Sequence, residues 1–367
     1  KVMSLKDLTT QNILRHKPYI PGKQPVNFEQ TIKLNTNENP YPPSPEISKS
    51  ILEQIDSLSR YPNSSANSLR STIAQLHNVD DEQVIVGNGS DDILNLCVRC
   101  FSDHSKPLGM LDPSYSLYEV LGSLQGAEVK KFAFPDSKFE INPEVISQSG
   151  TNLFFLTSPH APTGRIYNNS TFSSVINQYS GILVIDEAYA DFAPFNALPI
   201  LNESERVIIT RTLSKSYSLA GLRVGYALAS PDVISILNKA REVYNVDRLA
   251  QYVAEIALKD RGYFEKTKDE IIAVREKTYA TFTDWNWETY QSGANFLFTR
   301  PTDLRGLFGD QVAFNLFNFL NDNNVLIRYF PQNPLTSSFV RISIGKQEEM
   351  DMLLDLISKW KIKDQQR

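Results

Sequence analysis

The sequence predicts an α/β protein: a large domain built on a mostly parallel central sheet sandwiched by helices, followed by a small α+β domain. Two observations carry this. Short β-branched apolar runs alternate with helical segments between residues 83 and 229, and polar residues gather just after several of those runs. Beyond about Pro231 the pattern changes to long helices followed by a few strands. A chain of 367 residues is long enough for two domains and a large buried core.

The first 45 residues are rich in Pro, Asn and Lys with weak periodicity, and read as an extended arm. Helices are expected over 44–57 and 65–77. Strands are expected over 83–86, 107–111, 128–134, 152–157, 181–185, 207–211 and 224–229, with helices over 91–101 and 115–124 between the earlier ones. Helices over 231–246 and 251–283 follow, then a strand pair over 296–299 and 325–329, a strand over 339–344 and a closing helix over 347–359. The expected division is an arm at 1–45 that also completes the small domain, a large domain at 46–262 and a small domain at 263–367.

Composition narrows the function classes. Hydrophobic residues make up 41% and charged residues 22%, ordinary for a globular protein, and the net charge of −5 argues against a nucleic-acid binder. No run approaches the length of a membrane span and the start lacks a signal-like apolar stretch, so a cytoplasmic protein is expected. The two cysteines, Cys97 and Cys100, lie three apart in a helical run with no second pair to complete a zinc site, and read as small buried helix residues.

Four segments carry chemistry. In Thr212-Leu213-Ser214-Lys215 a lysine follows directly on an apolar strand, with Arg223 eight residues on and the small residues Ser218, Ala220 and Gly221 between. A solvated loop lysine is the ordinary reading. Here an arginine and a hydroxyl stand ready for a phosphate dianion while the amine attacks an aldehyde, and burial beside cations favours a neutral, nucleophilic amine. In Leu183-Val184-Ile185-Asp186-Glu187-Ala188-Tyr189 an aspartate ends an apolar strand, which is costly unless it is paired. A pyridinium nitrogen would suit it; a helix cap or a metal ligand is the alternative. Val86-Gly87-Asn88-Gly89-Ser90-Asp91-Asp92 turns from a strand into a helix whose free N–H groups can take an anion, with Asp91 and Asp92 as first-turn residues. It is neither a Walker A loop nor a full dinucleotide fingerprint. Finally, Asp112-Pro113-Ser114-Tyr115 places an aromatic ring on the rim where it can stack on a flat ligand.

These four segments, in this order, resemble the fold-type-I aminotransferases that depend on pyridoxal 5'-phosphate. The ends of the chain narrow the resemblance to the histidinol-phosphate aminotransferase family, through Pro18-Tyr19-Ile20-Pro21-Gly22-Lys23, Leu34-Asn35-Thr36-Asn37-Glu38-Asn39-Pro40, Arg60-Tyr61-Pro62, Asn324-Val325-Leu326-Ile327-Arg328-Tyr329-Phe330 and Val340-Arg341-Ile342-Ser343-Ile344-Gly345. The resemblance implies Lys215 as the Schiff-base lysine and proton carrier. It implies Asp186 on the pyridine nitrogen, Tyr189 on the ring hydroxyl and Tyr115 stacked on the ring. Ser90, Asp91, Ser214 and Arg223 would hold the cofactor phosphate, and Tyr61 would reach the phosphate of a partner subunit's cofactor in a homodimer. Arg341 would bind the amino donor's carboxylate, Arg328 with Tyr19 the phosphate of histidinol phosphate, and Asn37 would also bind substrate.

The implied reaction is amino-group exchange between L-histidinol phosphate and 2-oxoglutarate, in histidine synthesis, by a ping-pong scheme. An aromatic-amino-acid aminotransferase and a threonine-phosphate decarboxylase share the scaffold, whereas a non-catalytic regulator would be expected to carry a DNA-binding domain in front, for which the 45-residue arm is too short and shows no helix-turn-helix pattern. One departure stands out: in Ser158-Pro159-His160-Ala161-Pro162-Thr163-Gly164 the family's ring-contacting asparagine is replaced by Ala161, with His160 the nearest polar substitute. The remaining histidines, His16, His77 and His104, read as surface residues.

Overall fold

A computed structural model describes residues 3–364. Lys1, Val2 and residues 365–367, which the expected arm and small domain include, lie outside the described residues. The strands in chain order are β1 (Ile32–Lys33), β2 (Val84–Gly87), β3 (Leu108–Asp112), β4 (Val129–Ala133), β5 (Leu153–Thr157), β6 (Ile182–Asp186), β7 (Val207–Thr212), β8 (Gly225–Ala229), β9 (Glu288–Thr289), β10 (Phe296–Arg300), β11 (Val325–Leu326), β12 (Arg328–Tyr329) and β13 (Val340–Ser343).

Seven of them form one sheet in the order β2-β8-β7-β6-β5-β3-β4. Only β8 runs against the others, pairing antiparallel with β2 and β7, so the sheet is mostly parallel as expected. The apolar runs explain why it forms. On β5, Leu153 and Phe155 pack into one cluster while Phe154 and Leu156 pack into another. Val184 of β6 and Ile208 of β7 likewise face opposite to their chain neighbours. Both faces are covered, which is why β5 and β6 are apolar up to their last residue and β7 up to Thr210. The parallel strands all end on one rim, and there the polar residues begin: Asp112, Thr157, Asp186 and Thr212.

A second core gathers Leu34 with Ile271, Phe282, Leu316, Ile342 and Trp360, among others. It packs around the antiparallel sheet β12-β13-β10-β9. The helix Arg261–Asp284 joins the two cores without a break: Phe264 packs with the helices beside β2 and β8, whereas Ile271 and Phe282 belong to the second core. It therefore runs straight through the expected division at 262–263.

Several elements differ from expectation. The N-terminal segment is not uniformly extended; it forms short helices at Leu5–Leu8 and Gln11–Arg15, and β1 pairs in parallel with β11. The expected strand 325–329 does not pair with 296–299. It divides at Ile327, its first half joining β1 and its second half joining β13, while β10 pairs with β13 and β9. The helix expected over 251–283 is two helices, Arg248–Lys259 and Arg261–Asp284, because Asp260 ends the first and caps the second, accepting from the Tyr263 amide. The helix from Pro231 stops at Ala240, where Arg241 turns its guanidinium onto the Ser64, Glu242 and Val243 carbonyls. The expected helix over 44–57 is α-helical only at Pro45–Ser50 and tightens to a 3-10 helix over Ile51–Ser59. Three further helices, Pro143–Ser147, Asn169–Gln178 and Asp310–Asp322, were not anticipated. Cys97 is buried as expected but Cys100 is only partly so. His77 is not a free surface residue: its Nε2 lies 2.7 Å from the Tyr226 hydroxyl, and burial pushes it down to about 4.

Beneath the rim, Glu187 is buried and balanced by Arg211, which bonds it at 2.9 Å and also reaches Asp191 at 3.0 Å. Removing the cation alone strands a buried carboxylate. Arg211→Met is expected to destabilise the fold by about 3–5 kcal/mol, seen as a lower midpoint in chemical denaturation. A midpoint like that of the parent would show that this pair does not hold the sheet.

Candidate active site

The polar rim and the second core enclose a cavity of about 390 Å³. Apart from Tyr61, every residue singled out from the sequence as a cofactor or substrate ligand lines it. Tyr61 is 77% exposed and stacks on Tyr244, with ring centroids 4.5 Å apart.

Asp186 forms one wall. The last residue of β6, it is 2% exposed. The Tyr118 hydroxyl donates to its Oδ2 at 2.7 Å and the Thr210 hydroxyl to its Oδ1 at 3.1 Å. No lysine or arginine among the described residues pairs with it. Burial, only partly offset by the two hydroxyls, raises its pKa from 3.8 to about 6. Tyr118 is itself fixed by stacking on Phe155 at 4.5 Å and by Thr157 at 2.8 Å. Neither Tyr118 nor Thr210 was singled out from the sequence. Tyr118 lies one helical turn beyond Tyr115, so helical spacing could have pointed to it.

Lys215 lies on the loop after β7. Burial, together with the nearby Arg341 guanidinium, lowers its pKa to about 8. Its Nζ donates to the Thr36 carbonyl at 3.0 Å, and its own carbonyl accepts from Asn39 Nδ2 at 2.9 Å. The lysine is thus held by the N-terminal segment 36–39, a pair of contacts that sequence reading did not supply. The next residue, Ser216, donates its hydroxyl to Asp191 and so joins the Arg211 cluster.

At another end of the cavity the helix Ser90–Phe101 opens toward Arg223. Gly89 has φ of +84°, and a Cβ there would sit 2.4 Å from Arg223 Nη2. Gly225 similarly lets β8 approach the Ser90 amide, which a Cβ would meet at 2.2 Å. Glycine at both positions lets the guanidinium and the helix start share one small cradle. Arg223 Nη1 lies 3.3 Å from Ser214 Oγ, which accepts from it. The Asp91 carboxylate does not simply stand in the first turn offering its N–H: it pairs with Arg223 at 3.0 Å and accepts from the Tyr115 hydroxyl at 3.3 Å. Tyr115 meets Tyr19 edge to face, with centroids 6.2 Å apart.

On the side of the second core, Arg328 and Arg341 face each other across β12 and β13. Arg341 Nη2 donates to the Asn35 carbonyl at 3.2 Å, while its Nε is buried without a partner. Burial lowers its pKa. Phe330 lies beneath both guanidinium groups. Asn37 donates to the Tyr189 hydroxyl at 2.9 Å.

His160 does not substitute for the missing asparagine. It is 2% exposed, lies among Phe134, Phe139 and Tyr167, and is bonded to Thr163 at 2.8 Å and the Pro113 carbonyl at 3.0 Å. Only the methyl of Ala161 takes that place on the cavity wall.

The donor set suits pyridoxal phosphate. A carboxylate lacking a cation matches a pyridinium nitrogen, a lysine with a depressed pKa matches an aldehyde, and an arginine at a helix start matches a phosphate.

The chain matches the family model described as aminotransferase class I and II over residues 29–357. It is 41% identical to the histidinol-phosphate aminotransferase of Geobacter sulfurreducens, over 94% of this chain and 96% of that one. Identity to the Syntrophotalea carbinolica protein of the same name is 39%, over 94% and 96%. Among solved structures, histidinol-phosphate aminotransferase from Sinorhizobium meliloti in complex with pyridoxal-5'-phosphate superposes with a TM-score of 0.83 at 22% identity, over 90% and 91% of the two chains. L-threonine-O-3-phosphate decarboxylase from Porphyromonas gingivalis has a TM-score of 0.75 at 21% identity, over 90% and 99%. At these identities the structural likeness is one of fold.

The raised pKa of Asp186 has a sign. Between its ordinary value of 3.8 and about 6 the folded protein holds a proton that the unfolded chain has lost. Its contribution to stability is therefore full below about pH 4 and is lost as pH rises to about 6. In cofactor-free protein, Asp186→Asn should match the parent near pH 4 and exceed it by up to about 3 kcal/mol above pH 6 in denaturant titrations. A constant difference across that range would contradict the burial argument.

Proposed function

Because the chain belongs to the class I and II aminotransferases, and within them to the histidinol-phosphate aminotransferase family, we propose that it exchanges the amino group between L-histidinol phosphate and 2-oxoglutarate by a ping-pong reaction. The observation that carries this reading is the pair Arg328 and Arg341 in one cavity with Lys215. One guanidinium suits a carboxylate, and two suit a pocket that must accept either a dicarboxylate or a phosphomonoester.

Bound pyridoxal phosphate supplies a carbonyl that condenses with amines and a ring that draws electrons from the substrate's α-carbon. In our reading Lys215 holds the carbonyl end. At a pKa of about 8 roughly a tenth of its amine is neutral at pH 7, so the same Nζ can accept and return a proton. Asp186 accepts the hydrogen bond of the protonated ring nitrogen, and Tyr118 and Thr210 keep the carboxylate aimed at it. The Ser90 amide, Ser214 and Arg223 hold the phosphate, with Asp91 orienting the arginine. Tyr115 covers a ring face and Tyr189 takes the ring hydroxyl. Arg341, with its buried unpartnered Nε, orients the donor's carboxylate. Arg328 with Tyr19 takes the substrate phosphate, and Asn37 lines the substrate side.

We further propose a working homodimer in which Tyr61 serves the partner subunit's site, and a division of the chain into an arm at 1–45, a large domain at 46–262 and a small domain at 263–367. The exposure of Tyr61, which does not line this subunit's cavity, supports the first. The two cores support a two-domain division, with the helix Arg261–Asp284 crossing the boundary between them. No helix among the described residues is long and apolar enough to cross a membrane, which agrees with an enzyme working in the cytoplasm.

Addition of L-histidinol phosphate to the loaded protein should bleach its visible band, and Lys215→Ala should abolish that response. Bleaching by phenylalanine or tyrosine but not by histidinol phosphate would replace the substrate with an aromatic amino acid. Release of CO2 from threonine phosphate would point to decarboxylation. Arg328→Ala should raise KM for histidinol phosphate at least tenfold, equivalent to about 1.4 kcal/mol, and raise it less for glutamate. Equal losses for both substrates would remove Arg328 from phosphate recognition. For the dimer, mixing inactive Lys215→Ala with an inactive Tyr61→Ala variant should restore activity through hybrids carrying one intact site; no recovery despite subunit exchange would exclude a shared site.

A further inference from the structure

Ala161 brings no polar side chain to the cavity wall, and the hydrogen bonds around Tyr189 run in one direction. The Asn37 backbone N–H donates to Ser343 Oγ at 2.9 Å. Ser343 Oγ lies 2.8 Å from Asn37 Oδ1 and sends its single proton there. That contact fixes which end of the amide faces which way, so Asn37 Nδ2 donates to the Tyr189 oxygen at 2.9 Å. Asn295 Nδ2 holds the Asn37 carbonyl at 2.9 Å, and Asn37 adopts φ of 57°, a left-handed conformation that asparagine, aspartate and glycine tolerate. Asn37 is 1% exposed and Ser343 2%. A tyrosine whose oxygen already accepts an amide hydrogen keeps its own proton free for the cavity.

We propose that Asn37 and Ser343 are positioning residues that orient the Tyr189 hydroxyl as a donor into the cavity, doing for the cofactor's ring oxygen what an amide at position 161 would otherwise do. The inference rests on the cofactor reading above and adds a directed chain, Ser343 to Asn37 to Tyr189, joining β13 of the small sheet to the strand end that carries Asp186. A donor to the ring oxygen stabilises its anionic form. The pH midpoint of the cofactor's visible band therefore reports the chain directly, independently of turnover.

The test is a spectrophotometric pH titration of the pyridoxal-phosphate-loaded protein. Asn37→Gly keeps the backbone conformation and removes the amide without adding charge. It should raise the midpoint by about half to one pH unit, a roughly three- to tenfold change in proton affinity. Asn37→Asp keeps the shape but turns the Tyr189 proton toward its own carboxylate, and should raise the midpoint further. Ser343→Ala should give a smaller rise, and Ser343→Thr should restore the parent value. In a Tyr189→Phe background, Asn37→Gly should leave the midpoint unchanged, because the group it orients is gone. A band present in every variant with an unmoved midpoint, or an equal Asn37→Gly shift with and without the Tyr189 hydroxyl, would overturn the inference while leaving the cofactor reading intact. Absence of any visible band in the loaded parent would instead remove the cofactor reading, and this inference with it.

Discussion

The structure turns on a carboxylate that the fold buries and does not balance. Asp186 and Glu187 are neighbours at the end of one strand, both almost completely enclosed. Successive residues along a strand face opposite ways, so the two have opposite surroundings. Glu187 meets Arg211 and is neutralised within the protein. Asp186 meets two hydroxyls and the Ala188 backbone but no cation among the described residues. A lone buried anion costs several kcal/mol unless it is protonated or paired, and the rise of its pKa to about 6 is the measure of that cost. The sheet tolerates the cost because its parallel strands all end on the same rim, where a ligand cation can complete the pair.

The same logic runs through the rest of the cavity. Arg341 and Arg328 lie directly opposite on paired strands, an arrangement of like charges that disfavours the sheet by a few tenths of a kcal/mol to about 1. Phe330 beneath them and the Asn35 carbonyl relieve part of it. Lys215 adds a third cation, and burial, aided by the Arg341 charge, lowers its pKa. The surplus of positive charge at Arg328, Arg341 and Lys215 shares one cavity with the carboxylate of Asp186, which has no cation beside it among the described residues. Such a cavity is complementary to a molecule that carries anionic groups at one end and a cationic ring nitrogen at the other.

Much of this was legible in the sequence because it depends on strand ends. An apolar run that stops at polar or glycine residues marks where the sheet meets solvent or ligand, and Asp186, Ser214-Lys215 and Gly89-Ser90 all follow that rule. What was not legible depends on tertiary contact. Tyr118 reads as one more core aromatic until the fold brings it to Asp186. The hold of Thr36 and Asn39 on Lys215 joins residues more than 170 positions apart. The small sheet was misread for a similar reason: β11 and β12 are too short to signal separate pairing, and only the return of the N-terminal segment as β1 splits them between two sheets. His160 looked like a polar substitute for the missing asparagine, but backbone direction turned it into the aromatic cluster behind the wall.

That last difference leaves the cavity wall apolar at Ala161, while other elements bring polar groups to Tyr189. The cavity around Tyr189 does not depend on the turn 158–164 alone. It is also built from β13 and the segment at Asn37, which reach Tyr189 from the other core. The two halves of the site are therefore held together by hydrogen bonds through the active-site tyrosine and lysine themselves, since segment 36–39 touches both. Movement of the small sheet relative to the large one would disturb Tyr189 and Lys215 at once. The two sides of the cavity are consequently one mechanical unit: under the proposed function, a substrate held by Arg341 on β13 would pull on the strand that fixes Asn37, and through it on Tyr189.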